Sequence, residues 1–377
     1  MINVFEPDLG ELEVLEIAKT ISTKWVGRGE KEETFREQFS NYVLVNPENL
    51  VTYNSCTEAF FQLFEFLNLP KGSEVIIPSI SFVGVANAIS ASGAKIIFCD
   101  VDTSDGNPKL ENIIEYVNQN TRAVVFQHYG GNMGEIDRIS EFCKKKNLIL
   151  VEDAAAALGS FSKNKAAGTF GDYGMWSFDA MKSVSCGDGG MLFSRELKDI
   201  QKLKTQGYLG LNFISGMERS KDSHDRWWNF EVQAPGRRSI MNDLSATLGI
   251  VQLSRMTEKL QKRNEVYQKY VNGFKNSKRI KIISKLNVNQ QNKHSYYFFA
   301  IRLRVGRDSV AKHLIKNDIY TTYRYVPLHK QILYGPYKKL PQSEIFESEV
   351  LLLPMHTNLT DDNVSKIINC VLDYTNE

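Results

Sequence analysis

The first two-thirds of the chain alternates short runs of apolar residues with longer segments of helical periodicity. The apolar runs predict strands at residues 50–53, 74–77, 95–99, 123–126, 148–151, 173–178 and 191–194. The periodic segments predict helices at residues 57–69, 82–92 and 136–146. Strands that are apolar throughout and are joined by helices are typical of a mainly parallel sheet with helices on both faces. The pattern therefore predicts an α/β fold.

The last third of the chain has a different pattern. A helical stretch at residues 242–274 is followed by predicted strands at 280–283 and 296–303 and by a helix at 308–316. No repeat or low-complexity linker interrupts the chain. We therefore predict two rigidly associated domains, a large one at residues 1–255 and a smaller α+β domain at residues 256–377.

Composition and charge narrow the class of protein. Of the 377 residues 42% are hydrophobic and 24% are charged, and the formal net charge is +2. These values are typical of a soluble globular protein and argue against a basic nucleic-acid-binding surface. No apolar run is long enough to span a bilayer and the first residues lack signal-peptide features, so we expect a cytoplasmic protein. The five cysteines are scattered without zinc-site spacing, which predicts free thiols and no metal site.

Polar or glycine-rich residues follow several of the predicted strands. They lie at residues 54–57, 127–130, 152–153 and at Ser177. Because ligands of parallel α/β sheets bind at the carboxyl ends of the strands, we expect these residues to form one site. Residues 54–58 stand where a strand turns into a helix, which suits a phosphate but equally suits a plain helix cap.

Two further segments carry chemistry. Glu152 and Asp153 end an apolar strand, and a buried carboxylate there needs a partner, either a protonated pyridine nitrogen or an ordinary ion pair. Lys182 lies between an apolar strand and the glycine-rich residues 187–190. Burial and nearby positive charge would lower its pKa and favour the neutral amine that condenses with an aldehyde. A lysine beside glycines is also commonly a solvated surface residue.

Further motifs occur in a fixed order along the chain. They are Pro78-Ser79-Ile80-Ser81-Phe82, Asp100-Val101-Asp102, His128-Tyr129-Gly130, Glu152-Asp153-Ala154-Ala155, Gly168-Thr169-Phe170-Gly171-Asp172, Ser177-Phe178, Lys182, Gly187-Asp188-Gly189-Gly190, residues 248–253 and Pro327-Leu328-His329. In this order they resemble the DegT/DnrJ/EryC1/StrS sugar aminotransferases, within the fold-type I pyridoxal-5'-phosphate (PLP) enzymes. The resemblance extends from about residue 25 to residue 359. It implies a large domain with a mainly parallel, seven-stranded sheet and a smaller C-terminal domain.

The resemblance also implies roles for individual residues. Lys182 would hold PLP as a Schiff base and then move the proton between the substrate carbon and the C4' atom of the cofactor. Asp153 would pair with the pyridinium nitrogen and strengthen the ring as an electron sink. Phe82 would stack on the ring, although an aromatic residue at this position also suits core packing.

The cofactor phosphate and the substrates are assigned in the same way. Thr57, Ser177 and the backbone near Cys56 and Glu58 would hold the phosphate. L-glutamate is the usual amino donor in the family, which implies a conversion between PLP and pyridoxamine phosphate. A second subunit usually completes the pocket, so we expect a homodimer with shared active sites.

Three positions depart from the family pattern near the expected pocket. The glutamine or histidine that the family carries three residues after the pyridine aspartate is Ala156 here. In place of the family's Gly-x-Asn-x-Arg segment, Gly236 is followed by Arg238 at the asparagine position, where it could bind the partner's phosphate or lie solvated on the surface.

The third departure concerns the His-Tyr pair upstream of Pro327-Leu328-His329. Tyr323 and Arg324 replace it, and the cationic side chain of Arg324 suits an anionic substrate. We therefore expect Arg238, Tyr323, Arg324 and His329 to contact the substrate.

The resemblance favours transfer of an amino group from glutamate to a nucleotide-linked keto sugar for polysaccharide or capsule biosynthesis. Arg238 and Arg324 keep open a small phosphorylated ketone such as dihydroxyacetone phosphate. Ala156 and the altered segment after Gly236 keep open a PLP-binding regulatory protein without catalysis, and amino-acid decarboxylation is a further alternative. A related subgroup that carries histidine at the lysine position performs dehydration, and Lys182 argues against that route.

Overall fold

A computed structural model describes residues 1–211, 226–283, 291–303 and 306–375. Its main sheet contains seven strands: β1 (Leu50–Tyr53), β2 (Glu74–Pro78), β3 (Lys95–Cys99), β4 (Thr121–Gln127), β5 (Ile149–Asp153), β8 (Tyr173–Ser177) and β9 (Gly190–Ser194). β6 (Phe161–Ser162) and β7 (Lys165–Ala166) form a separate hairpin. The strand order is β1-β9-β8-β5-β4-β2-β3, and β9 alone runs in the opposite direction to the other six strands. The predicted mainly parallel α/β sheet is confirmed.

Helices cover both faces of this sheet. They are α1 (Glu11–Ser22), α2 (Glu30–Val43), α3 (Cys56–Leu67), α4 (Val83–Ala91), α5 (Leu110–Ile114), α6 (Ile136–Lys146), α7 (Leu197–Gln206) and α8 (Asp243–Ser254). Successive side chains of β2 point to opposite faces: Val75 and Ile77 pack with α3 and α4, and Ile76 packs with α5 and α6. Burial on both faces explains why the strands are apolar throughout.

The helix predicted at residues 242–274 is in fact two helices, α8 and α9 (Met256–Phe274). The interruption lies at Arg255, whose backbone has φ −94° and ψ 5°. Its guanidinium pairs with Asp8 at 2.9 Å and with Glu13 at 3.3 Å, so contacts with the N-terminal segment accompany the break. No glycine or proline marks the position, and for this reason the local sequence gives no sign of it.

A three-stranded antiparallel sheet forms the C-terminal unit. Its strands are β10 (Ile280–Ile282), β11 (Phe299–Leu303) and β12 (Val350–Leu353), and its helices are α10 (Arg307–Lys316), α11 (Pro341–Glu349) and α12 (Asp361–Thr375). Strand β11 begins three residues later than predicted, because Tyr296 has φ 50° and interrupts extended backbone. The extreme N-terminus joins this unit, since Ile2 bridges to Ile319. The domain boundary at residue 255 remains a prediction. Within the described residues no helix is long and apolar enough to cross a membrane.

Candidate active site

A cavity of about 520 Å³ opens where the C-terminal ends of β5 and β8 meet the N-terminus of α3. Its lining residues are Ser55, Cys56, Thr57, Phe60, Phe82, Asp153, Ala155, Ser177, Asp179, Lys182, Asp188, Arg324 and Tyr325. Both residues predicted to be catalytic, Lys182 and Asp153, are among them. So are Cys56, Thr57, Phe82, Ser177 and Arg324 from the predicted binding residues. Three of the four strand ends expected to converge therefore reach the cavity, at residues 54–57, 152–153 and Ser177, whereas residues 127–130 do not line it.

Two adjacent carboxylates end β5 and have different surroundings. Asp153 is 2% exposed, lines the cavity, and accepts a hydrogen bond from Ala155 N at 3.0 Å. Burial raises its pKa, and the charges of Lys182 and His128 act in the opposite direction. Glu152, one residue earlier, accepts from the Gly168 amide at 2.9 Å and pairs with His128 Nε2 at 2.7 Å. Asp153 therefore lines the cavity, whereas Glu152 holds the turn at Gly168 in place.

The loop that carries Lys182 is fixed on both sides of the lysine. The Tyr297 hydroxyl donates to the carbonyl of Met181 at 3.3 Å, and Lys259 Nζ donates to the carbonyl of Ser183 at 3.2 Å. Lys182 Nζ itself lies 5.1 Å from the centre of the Tyr297 ring. Tyr297 and Lys259 come from the C-terminal unit and from α9, so distant parts of the chain hold the lysine in place.

The expected lowering of the Lys182 pKa is not found. Burial does act to lower it, but Tyr297, Tyr325 and Asp153 together outweigh burial, and the net direction of the pKa is upward. The sequence indicated burial and possible positive neighbours, whereas the structure surrounds the amine with a carboxylate and phenols. In the protein alone these neighbours therefore favour the ammonium form of Lys182.

An anion cradle forms at the N-terminus of α3. The amides of a first helical turn have no acceptor inside the helix, and the helix dipole adds partial positive charge there. Ser55 Oγ accepts the Glu58 amide at 3.0 Å, while Thr57 and Ser177 line the cavity beside it. A Cβ atom at Gly190 would lie 2.5 Å from Cys56 N, so the β9 backbone closes the cradle from below.

Phe82 forms a wall of the cavity. Its ring is 42% exposed and makes an edge contact with Tyr325 at 5.8 Å between ring centres. A Cβ atom at Gly84 would lie 2.8 Å from the Phe82 ring, which shows how closely α4 fixes this side chain. An exposed aromatic face at a cavity suits stacking on a planar ligand better than core packing.

Four predicted binding residues lie elsewhere. Glu58 is tied by Ser55 through its amide and by Arg237 at 3.2 Å and Ser239 at 2.7 Å through its carboxylate, so it is not available to a phosphate. Arg238 is exposed, with its guanidinium 5.7 Å from the centre of the Tyr208 ring. Its predicted contact with a second subunit stays a prediction.

Tyr323 and His329 are likewise placed outside the cavity lining. His329 is 3% exposed and is bound between Ser79 Oγ and Glu344, 3.4 Å away, so it joins a C-terminal turn to the end of β2. Tyr323 packs near Phe346, with the Arg307 guanidinium 5.5 Å from its ring centre. The position predicted for Tyr323 is occupied by Tyr325, two residues later.

Several site residues were not foreseen. Asp188 belongs to a quoted motif without an assigned role, and Asp179 lies between Phe178 and Lys182; both line the cavity. Tyr297 and Lys259 are not marked by any local pattern, because they act on the lysine loop from distant segments. Tyr325 follows Arg324 directly. The only sequence feature that could have pointed to Tyr325 is its position just before the motif Pro327-Leu328-His329.

These groups fit PLP. The α3 cradle suits its phosphate, the Asp153 carboxylate suits a pyridinium N–H, the Phe82 face suits its ring, and the Lys182 amine suits its aldehyde. In the described part of the chain there is no group of three histidine, cysteine or acidic side chains that could hold a metal ion. The fold and the site thus define a PLP-dependent enzyme of the lysine Schiff-base type.

Comparison with known proteins identifies the family. The chain belongs to the DegT/DnrJ/EryC1/StrS aminotransferase family, which matches residues 7–372, and it is a PLP-dependent aminotransferase. It is 39% identical to a dTDP-4-dehydro-2,3,6-trideoxy-D-glucose 4-aminotransferase of Saccharopolyspora spinosa, over 97% of this chain and 95% of that protein. It is 40% identical to the aminotransferase TlmJ of Streptoalloteichus hindustanus, whose crystal structure matches with a TM-score of 0.94 over 100% of this chain and 99% of that one. Helicobacter pylori PseC, 24% identical with a TM-score of 0.90, has the same fold over 99% of this chain and 98% of its own.

The buried Lys259 gives a prediction for stability. Burial lowers the pKa of Lys259 to about 8, against 10.5 ordinarily, so between these values the unfolded chain binds more protons than the folded one. The free energy of unfolding of the wild type should therefore increase as the pH rises from about 8 to 10.5. The increase should be roughly 3 kcal/mol larger than that of Lys259→Met, which lacks the titrating amine. Urea titrations across this range measure it, with the exposed Lys198→Met as control. Parallel pH curves for wild type and Lys259→Met would show that the buried amine does not titrate as inferred.

Proposed function

We propose that this chain transfers an amino group from L-glutamate to the keto group of a nucleotide-linked sugar. The observation that carries the proposal is the cavity that combines Lys182 and Asp153 with Arg324, in a chain 39% identical over nearly its full length to a dTDP-keto-sugar aminotransferase. Relatives at 28% identity include the spore coat polysaccharide biosynthesis protein SpsC of Bacillus subtilis and GDP-perosamine synthase of Vibrio cholerae. The name of SpsC supports a role in polysaccharide biosynthesis. We further propose that the enzyme acts in the cytoplasm.

A second cavity supports an acceptor with two parts. It measures about 420 Å³ and shares the side chains of Phe82 and Tyr325 with the active-site cavity. Its other walls are mostly apolar, including Val326, Leu328 and Leu333. A sugar positioned over Lys182 could extend its nucleotide past Phe82 and Tyr325 into this space. A small phosphorylated ketone, the second candidate, is favoured only by the cationic Arg324.

Mechanism follows from the residues that line the cavity. Bound PLP supplies an electrophilic aldehyde and an electron-withdrawing ring. The Lys182 amine would hold the aldehyde carbon of PLP and, as a free amine, would move a proton between the substrate carbon and C4'. The Asp153 carboxylate would keep the ring nitrogen protonated, while Phe82 would orient the ring and the α3 amides with Thr57 and Ser177 would hold the phosphate. The same lysine would move the proton in the opposite direction for the acceptor.

We further propose that the enzyme is a homodimer. Three aromatic residues shortly before Arg238 in the sequence are exposed: Trp227 by 42%, Trp228 by 59% and Phe230 by 71%. They form an aromatic surface. Exposed aromatic side chains in such a group are typical of protein interfaces. Burial of this surface by a second copy would bring Arg238 towards the partner's cavity. Sedimentation at the mass of two chains supports the proposal, and sedimentation as a monomer contradicts it.

The choice of acceptor is tested by the second half-reaction. The pyridoxamine-phosphate form, prepared with L-glutamate, is mixed separately with dTDP-, UDP- and GDP-linked keto sugars and with dihydroxyacetone phosphate. We expect the PLP absorption to return with at least one nucleotide sugar and mass spectrometry to detect the amino sugar. Return of PLP only with dihydroxyacetone phosphate would replace the proposal by the second candidate. Lys182→Arg is the control for uncatalysed exchange.

A further inference from the structure

Two cations of the active-site cavity are joined by a stack of aromatic rings. Lys182 Nζ lies 5.1 Å from the ring centre of Tyr297, and Tyr297 stacks on Phe5 at 5.4 Å with planes 9° apart. The Arg324 guanidinium lies 4.6 Å from the ring centre of Phe5. Both Lys182 and Arg324 line the cavity. The two rings therefore set the spacing between the reacting amine and the arginine.

Phe5 reaches this position from the extreme N-terminus. The segment before it is attached to the C-terminal unit, because Tyr320 N donates to Ile2 O at 2.9 Å and Met355 N donates to Val4 O at 3.0 Å. Phe5 is only 6% exposed. Its ring is thus held by backbone contacts on one side and by Tyr297 on the other, and it offers Arg324 a fixed surface.

Arg324 is available for an anion. Within the described residues no carboxylate forms an ion pair with its guanidinium, and its own carbonyl accepts a hydrogen bond from the Tyr129 hydroxyl. The nearby acids of the cavity have other partners, since Asp179 accepts from Met181 N at 3.0 Å and Asp188 from Gly189 N at 2.8 Å. A planar guanidinium with a free edge matches a carboxylate with two parallel hydrogen bonds.

We propose that Arg324 binds a carboxylate of the amino donor and that Phe5 is the positioning residue that holds it at the required distance from Lys182. The inference rests on the proposed donor, L-glutamate, and specifies how the cavity recognises it. A cation on an aromatic face keeps its N–H groups directed outward, so Phe5 limits the arginine to orientations that face the cavity. The diphosphate of a nucleotide-linked acceptor is also anionic and offers Arg324 the same kind of contact. The donor and the acceptor react in separate half-reactions, so the binding of each can be measured alone.

The test measures each half-reaction alone by the change in cofactor absorption. For Arg324→Gln we expect the dissociation constant of L-glutamate to rise roughly 10- to 100-fold, the range for a charge-assisted hydrogen bond. For Phe5→Leu we expect a rise of roughly 3- to 10-fold with little change in the rate at saturation, and Phe5→Tyr should restore the wild-type value. Val4→Ala is the matched control, because it removes apolar volume from the same segment without touching Arg324. Binding of glutarate, an unreactive dicarboxylate, by calorimetry gives a readout that needs no turnover.

The outcomes separate this inference from the proposed function. Weaker glutamate and glutarate binding, with unchanged reaction of the keto sugar, supports it. Weakened acceptor binding with unchanged glutamate binding would assign Arg324 to the diphosphate and overturn it. Equal effects of Phe5→Leu and Val4→Ala, or failure of Phe5→Tyr to restore binding, would reduce Phe5 to a packing residue. Absence of turnover with every keto sugar would contradict the proposed acceptor but leave the donor measurement intact.

Discussion

Replacement of Lys182 by alanine should abolish both turnover and the visible absorption band that PLP has when its aldehyde is bonded to a lysine amine. The reason is that Lys182 lines the cavity with Asp153 and is held on both sides by Tyr297 and Lys259. We expect the rate to fall by at least roughly a thousandfold, as for removal of a covalent nucleophile. Steady-state assays and absorption spectra measure the two effects.

Lys182→Arg is the informative companion, because it keeps the positive charge beside Asp153 but cannot form a Schiff base. It should be as inactive as the alanine variant. The exposed Lys198→Ala is the matched control and should behave as the wild type. Borohydride reduction followed by peptide mass analysis should find PLP on the peptide that contains Lys182. Its recovery on any other lysine, or an active Lys182→Arg, would refute the assignment.

Replacement of Asp153 by asparagine should leave PLP bound and slow proton transfer by about 100-fold or more. Asparagine preserves size and the hydrogen bond from Ala155, but it removes the buried carboxylate that we propose keeps the ring nitrogen of PLP protonated. Single-turnover reaction with L-glutamate isolates this step. Asp308→Asn is the control, since Asp308 is exposed on α10.

A chemical rescue sharpens the test. PLP methylated at the ring nitrogen keeps its positive charge without a carboxylate partner, so it should restore part of the rate in Asp153→Ala. Unchanged rates in Asp153→Asn would mean that another group protonates the ring. A variant that loses PLP altogether would show that Asp153 acts mainly in binding.

The pattern of apolar strands was sufficient to predict the main sheet, and the ordered motifs were sufficient to predict the residues at the centre of the site. Apolar strands with helical connections follow from burial on two faces. Asp153 is the polar end of β5, and Lys182 lies in the loop between β8 and β9. What local sequence could not provide is the contact between distant segments. Phe5 and Tyr297 are ordinary apolar positions in sequence, and their meeting beside Lys182 depends on how the N-terminus joins the C-terminal unit.

The errors have the same origin. Arg255 favours a helix, and its ion pairs with Asp8 and Glu13 accompany the interruption there. Tyr323 and Tyr325 are chemically identical and two residues apart, so only the path of the backbone decides which one enters the cavity. The pKa of Lys182 depends on the neighbours that surround it, and these come from three separate segments.

The close approach of Gly190 to Cys56 determines which parts of this enzyme can be redesigned. The contact is between two backbones, with a Cβ atom at Gly190 placed 2.5 Å from Cys56 N, so any side chain there would displace the first turn of α3. Libraries that include Gly190 should consist mostly of variants that fail to load the cofactor. The wall at Tyr325 and along the second cavity is formed by side chains instead. Laboratory evolution towards new acceptors should therefore vary that wall and keep both Gly190 and Arg324.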